Sequence, residues 1–446
     1  MQAQYETVIS KRNLERIHSR SMSPAELIAF LEEGALYRSF ADVLRSVIPG
    51  EGLAERLKTR LLGIDGQPAG PKEAEALRKN VSNWLRGEAA PQNREQLFKI
   101  CFALELDEAR AGRVLASASD TGIHYRDPHE LCYAFALRTG LGYAEAVQLD
   151  AEMEGIYGPV ARAAEAERAA GWKKREQLYR ERRAEARRQR LAREKQGLWS
   201  DTYLGPGEEE DPPAFLTQQV YHRFEDVRDR EGLRLFFLEN SARLGWIHES
   251  AYEKFWSLLL TLQEPDDAIA PSGEQAAEVY SLDRIAEEYL RMHVPLGKNT
   301  RGFDYLQRAV KRNWPGATEL QRMKSRKADV SRKALLLLFL ITEDFLFSED
   351  LLYSDKAGEE AAWYLPLEDE SPRDRLEVTL SKVNLFLETY GMNQLDPGNP
   401  FDCLVLYALA ADCGGEFLSD NFSRALEVLF SGAQGGGRAA GEGQVQ

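Results

Sequence analysis

The chain has 446 residues, of which 43% are hydrophobic and 29% charged; this is enough apolar material for more than one core, and a chain this long divides into two or three domains. Its net charge of −15 is uneven, with 32 Lys/Arg against 29 Asp/Glu in residues 1–195 and 25 against 43 in residues 196–446. So acidic a C-terminal half repels a polyanion, which excludes it as the main nucleic-acid surface and leaves such contacts to the N-terminal half.

Apolar residues recur at three- and four-residue spacing almost throughout, so the expected fold is all-α. Residues 1–20 read as an N-terminal extension whose alternating charges leave no apolar core of signal-peptide length. The cysteines at 101, 132, 403 and 413 are scattered, and most sit in apolar helical patterns, so a reducing cytoplasm is the expected compartment. Residues 21–150 read as a first domain. Ser23-Pro24-Ala25-Glu26 opens a helix with an N-cap serine, a proline at the first helical position and a capping-box glutamate.

Leu36, Phe40, Val43, Leu44 and Val47 form one apolar stripe ending at Pro49-Gly50, and Leu53, Leu57 and Leu61 form a second. A loop at residues 63–71 follows. Ala74, Leu77, Val81, Trp84 and Leu85 mark the buried side of a third helix, with Lys72, Arg78, Lys79, Asn83 and Arg86 off that stripe. Gly87 stops it. Arg94 then precedes the apolar face Leu97, Ile100, Cys101 and Leu104, and Leu106, Ala109, Val114 and Leu115 mark a fifth helix.

This order, with Val81-Ser82-Asn83-Trp84-Leu85-Arg86-Gly87-Glu88 at its centre, resembles the XRE-type (lambda-repressor/Cro-like) helix-turn-helix. The resemblance covers under a fifth of the chain. It implies that the third helix enters the major groove of double-stranded DNA, that Lys72, Arg78, Lys79, Asn83, Arg86 and Arg94 are the contacting set, and that the assembly is a homodimer on a palindrome. The chain departs from the family in its long loop before the third helix and in Glu73 and Glu75, which would stand close to phosphate.

Asp127-Pro128-His129-Glu130 opens another capped helix. His124, His129 and Cys132 fall within nine residues, a spacing that invites zinc but also suits capping and packing, and no second cluster supplies more ligands. Phe135, Ala136, Leu141, Tyr143, Ala144 and Val147 continue a helical pair. Residues 151–196 read as one long basic helix rich in Ala, Glu and Arg, a solvated spacer or an arm that tracks phosphates. Residues 197–213 read as an acidic Pro/Gly linker and 214–430 as an acidic helical domain, whose segment 220–262 is rich in core-type aromatics.

In that second domain Lys311, Arg312, Arg322, Lys324, Arg326 and Lys327, with Arg332 and Lys333, form the one basic patch of the acidic half. Arg332 precedes Leu335 and Leu338 as Arg94 precedes Leu97 and Ile100, an echo that reads as an internal repeat carrying a degenerate second helix-turn-helix, or as a basic surface for an acidic partner. Asn399-Pro400-Phe401-Asp402 is a third capped start, and residues 431–446 read as a disordered tail. The apolar run 334–341 is far short of a membrane span.

No P-loop, dinucleotide fingerprint, nucleophile elbow or paired CxxC is present, so no catalytic residue, metal site or cofactor is assigned. The whole-chain pattern resembles a multi-domain helix-turn-helix family of Gram-positive bacteria. That resemblance implies a DNA-binding regulator whose acidic domain senses or recruits. The competing expectation is an adaptor, of a mobile-element or defence system, whose same helices hold a protein partner.

Overall fold

A computed structural model describes residues 8–431 apart from 20–21, 35–38, 49, 67–69, 88–89, 92, 119–121, 196–215, 264–279, 296–301, 313, 343–371 and 411–417. Leu36, the 197–213 linker and the 431–446 tail beyond Ser431 therefore lie outside the described residues. Among those described, every regular element is helical, so the chain is all-α. In order these are α1 (Val8–Ser19), α2 (Pro24–Ala29), α3 (Phe40–Val47), α4 (Leu53–Leu62), α5 (Pro71–Leu85), α6 (Arg94–Ala103), α7 (Glu108–Ala118), α8 (Pro128–Thr139), α9 (Tyr143–Lys195), α10 (Leu216–Phe224), α11 (Arg230–Asn240), α12 (Glu249–Gln263), α13 (Leu282–Glu288), α14 (Tyr305–Arg312), α15 (Ala317–Lys324), α16 (Arg332–Ile341), α17 (Pro372–Thr389), α18 (Pro400–Ala410) and α19 (Leu418–Phe430). No helix among the described residues is long and apolar enough to cross a membrane.

The chain forms two compact units, one of residues 39–250 and the other of residues 1–38 with 251–446. This division differs from the breaks expected at 21, 150 and 214. The helix expected to start near 151 begins at Tyr143, runs unbroken through Pro159 and spans about 80 Å at the usual helical rise. Its first half packs on α8 and α11. Arg168 fixes it further, donating to the carbonyls of Ala242 (3.0 Å) and Leu244 (2.9 Å) and pairing with Glu165 and Glu249.

Composition did not mark which core a helix would join. Val220, Phe224, Leu233, Phe236, Phe237 and Leu244, expected in the second domain, belong to the same buried cluster as Trp84, Phe98 and Phe135. Conversely, α2, whose Ser23–Glu26 capping box forms as expected, packs on α19 in the other unit. There Tyr407 donates to the Met22 carbonyl at 2.9 Å, and buried Asn13 of α1 donates to the Pro397 carbonyl at 2.8 Å.

Within residues 39–250 the five expected helices are α3 to α7. Packing joins α3 with α5 and α7, α4 with α5 and α6, and α6 with α7. Ser39 caps α3 through a reciprocal box with Asp42, and Arg45 of α3 donates to the Leu85 carbonyl at 2.8 Å, tying down the C-terminal end of α5. Gly87 ends that helix at φ +76°, a left-handed conformation that favours glycine.

Candidate nucleic-acid interface

Helix α5 has two opposite faces. Ala74, Val81 and Trp84 are buried, with Leu77 packed beside them. Lys72, Lys79, Asn83 and Arg86 follow one another at seven, four and three residues, which at 100° per residue places them in a single row opposite the buried stripe. Lys72, Lys79 and Arg86 are exposed, and Asn83 is half-buried and accepts a 2.7 Å hydrogen bond from Arg86 Nη2. Arg78, also exposed, lies toward the flank. Glu75 stands exposed in the same row, and Glu73 on a flank.

Arg94 is a different case. It opens α6, and its guanidinium forms a two-pronged pair with Glu130 of α8, Nε to Oε1 at 2.6 Å and Nη2 to Oε2 at 2.7 Å, while also donating to the Gly122 carbonyl. The Glu130 side chain is only 7% exposed. The expectation that Arg94 belongs to a DNA-facing set is therefore corrected, since a cation committed to a buried carboxylate holds helices together and is not offered to phosphate.

A cluster that no linear motif revealed lies beside this pair. His129 of α8 sits between two carboxylates, with Nδ1 2.7 Å from Asp150 of α9 and Nε2 3.2 Å from Glu95 of α6. Tyr133 and Tyr143 both donate to Glu95, at 2.9 and 2.6 Å, and Tyr157 donates to Asp150 at 2.8 Å. Burial opposes the charge on His129, but the hydrogen bonds to Asp150 and Glu95 outweigh it and hold the imidazolium up to about 10. Burial likewise opposes ionisation of Glu95, yet hydrogen bonds from His129, Tyr143 and Tyr133 bring it down to about 2. Asp127, at the α8 N-cap, is pushed up to about 6 by burial and by Glu130.

Of the three residues whose spacing invites zinc, His129 has both ring nitrogens on carboxylates, and burial drives the Cys132 thiol well above its ordinary range, away from the thiolate that binds metal. The cluster joins α6, α8 and α9 by charge-assisted hydrogen bonds.

The basic patch of the other unit is divided. Arg322 and Lys327 are exposed. Lys324 Nζ donates to Gln263 Oε1 at 2.9 Å, and the Arg326 guanidinium lies 4.8 Å from the Tyr252 ring, so these two hold α12. Lys311, half-buried with its ammonium 5.1 Å from the Phe303 ring, is lowered by burial. The Arg312 side chain lies outside the described residues. Arg332, far from being surface, is 3% exposed and forms a two-pronged pair with Asp402 at 2.9 Å on both prongs. No family model, curated protein or solved structure matches this chain.

Proposed function

We propose that the chain is a DNA-binding regulatory protein that meets duplex DNA through α5. The observation carrying this reading is the row of exposed Lys72, Lys79 and Arg86 with half-buried Asn83, directly opposite a buried stripe anchored by Trp84. Lys72 and Lys79 make no ion pair among the described residues, so their charge is available to phosphates, while Asn and Arg side chains match base-edge donors and acceptors. The fixed α5 terminus, held by Arg45 and Gly87, and the charge cluster bracing α6 present the row on a rigid support. The acidic unit then serves sensing or recruitment, because its net negative charge disfavours the main contact with a polyanion.

A second reading has its own support. Leu235 and Leu238, one turn apart on α11, are 48% and 55% exposed, and Trp246 is 44% exposed. Large exposed apolar side chains favour a protein partner, as an adaptor would require. Fluorescence anisotropy of the full chain on mixed-sequence duplex across a salt series separates the two. The DNA reading predicts a log-log slope of several units that falls by about 0.9 for each phosphate contact removed in Lys72→Ala/Lys79→Ala/Arg86→Ala. Flat anisotropy at the lowest salt leaves the adaptor.

A further inference from the structure

The two units share one hydrogen-bonding framework. Arg94 opens α6 and Arg332 opens α16, each directly after a side-chain cap, Asn93 or Ser331. Each arginine pairs through two prongs with the acid at the third position of a proline-led helix, Glu130 in α8 or Asp402 in α18. That acid also accepts the backbone N–H of the residue six places before it, His124 at 2.7 Å or Asp396 at 2.8 Å. The arginine donates in addition to the carbonyl eight places before the acid, that of Gly122 or Gln394. The intervening turns match, Asp127 N to His124 O at 2.9 Å and Asn399 N to Asp396 O at 2.8 Å.

The likeness continues upstream. Helix α5 closes with Arg86 N to Ser82 O and Gly87 N to Trp84 O, then φ +76° at Gly87; α15 closes with Ser325 N to Gln321 O and Arg326 N to Met323 O, then φ +57° at Arg326. The buried pair Val81 and Trp84 has its counterpart in Leu320 and Met323. Downstream, α8 and α6 each pack on α9, as α18 and α16 each pack on α19. A single capped helix is commonplace, but this set of contacts, at the same offsets from each acid and at each helix end, is not a generic property of helices; the arginine and its acid are 36 residues apart in one unit and 70 in the other.

We propose that the two units are diverged copies of one helical arrangement, and that α15 is the counterpart of α5, giving the chain a second duplex-DNA-contacting face centred on Arg322 with Thr318, Gln321 and Lys327. This rests on the reading of α5 as the DNA-contacting helix. Register supports it: Thr318, Gln321 and Arg322 hold the places of Lys79, Ser82 and Asn83, and all three are exposed. Charge supports it too: Arg322 and Lys327 are exposed, in a half of the chain that is otherwise strongly acidic. Helix α15 has eight residues where α5 has fifteen, so it lacks any counterpart of Lys72. The second face is accordingly the weaker one and is lost first as salt rises. Two faces on one chain make a single protomer able to hold two duplexes without a homodimer.

The test is the stoichiometry of the full chain with a duplex about one helical turn long at low salt, by calorimetry and sedimentation, beside Lys79→Ala/Asn83→Ala/Arg86→Ala and Arg322→Ala/Lys327→Ala. The proposal predicts two duplexes per chain, one remaining in each variant, and a salt slope lower by about two units in the Arg322/Lys327 variant. Unchanged helicity by circular dichroism certifies the folds. One duplex per chain, abolished by the α5 variant and untouched by the Arg322/Lys327 variant, overturns the second face and leaves the α5 reading intact. Binding of no duplex by the full chain ends both.

Discussion

Removing the Asp402 carboxylate tests the buried Arg332–Asp402 pair in the unit built from residues 1–38 and 251–446. Both oxygens are engaged, Oδ1 by Arg332 Nη1 and Oδ2 by Arg332 Nη2, each at 2.9 Å, with Asp396 N–H adding a third bond at 2.8 Å. The side chains are 3% and 2% exposed. Asp402→Ala leaves the buried guanidinium without its carboxylate, facing the neutral carbonyls of Asn393 and Gln394, and removes the acceptor of the Asp396 N–H bond. Breaking one side of such a pair costs about 3–5 kcal/mol. Because the chain has two units, a single unfolding free energy is ill defined, so hydrogen exchange read by mass spectrometry over residues 393–405 is the suitable assay. Protection there should fall by a factor of at least about a hundred, with residues 94–104 unaffected. Replacing both partners, Arg332→Met with Asp402→Leu, should recover part of the loss, since no charge then remains buried. A loss below about 1 kcal/mol in Asp402→Ala would mean that the carboxylate is not the counter-ion that makes burial of Arg332 tolerable.

Two further expectations concern the other unit. His129 titrates near 6.5 when unfolded and is held up to about 10 when folded, so its contribution is complete below about pH 6.5 and disappears as pH rises toward 10; Glu95, brought from 4.5 to about 2, contributes above about pH 4.5 and loses its contribution as pH falls toward 2. The side chains are 38% and 35% exposed, so solvent screening limits the His129 effect to about 1–2 kcal/mol. The melting temperature of the wild type should exceed that of His129→Gln at pH 6 and converge with it near pH 10; a constant gap across that range would contradict the charged-histidine account. Gly87→Ala should cost about 1–2 kcal/mol, because φ is +76° and the new Cβ would lie 3.2 Å from Ser39 Cβ, in the cap of α3. An unchanged thermal melt would mean that the turn relaxes freely.

Local signals were legible and long-range pairings were not. Ser23, Asp127 and Asn399 announced their helices because a cap, a proline and an acid act within four residues, and Trp84 declared a buried face because its partners at 74, 77 and 81 lie on the same helix. The cluster of Glu95, His129 and Asp150 spans residues 34 and 21 apart on three helices, and no periodicity encodes which of many carboxylates will meet a given imidazole. Arg94 misled for the same reason: on a linear helix it reads as one more exposed base, and only the approach of α8 supplies Glu130. The membership of α2 and α11 in their cores was likewise invisible, because an amphipathic helix specifies that it will be covered but not by what.

The claim on which the account turns is that the α5 row touches duplex DNA, and lysine acetylation footprinting of the native full chain addresses it without any substitution. Lys72 and Lys79 react freely in the absence of DNA because both are exposed, while Lys58, 23% exposed and paired with Glu55, serves as an internal reference on α4. Saturating mixed-sequence duplex at low salt should protect Lys72 and Lys79 by several-fold and leave Lys58 unchanged. Equal reactivity of Lys72 and Lys79 with and without bound duplex would contradict the account and move the contact elsewhere on the chain.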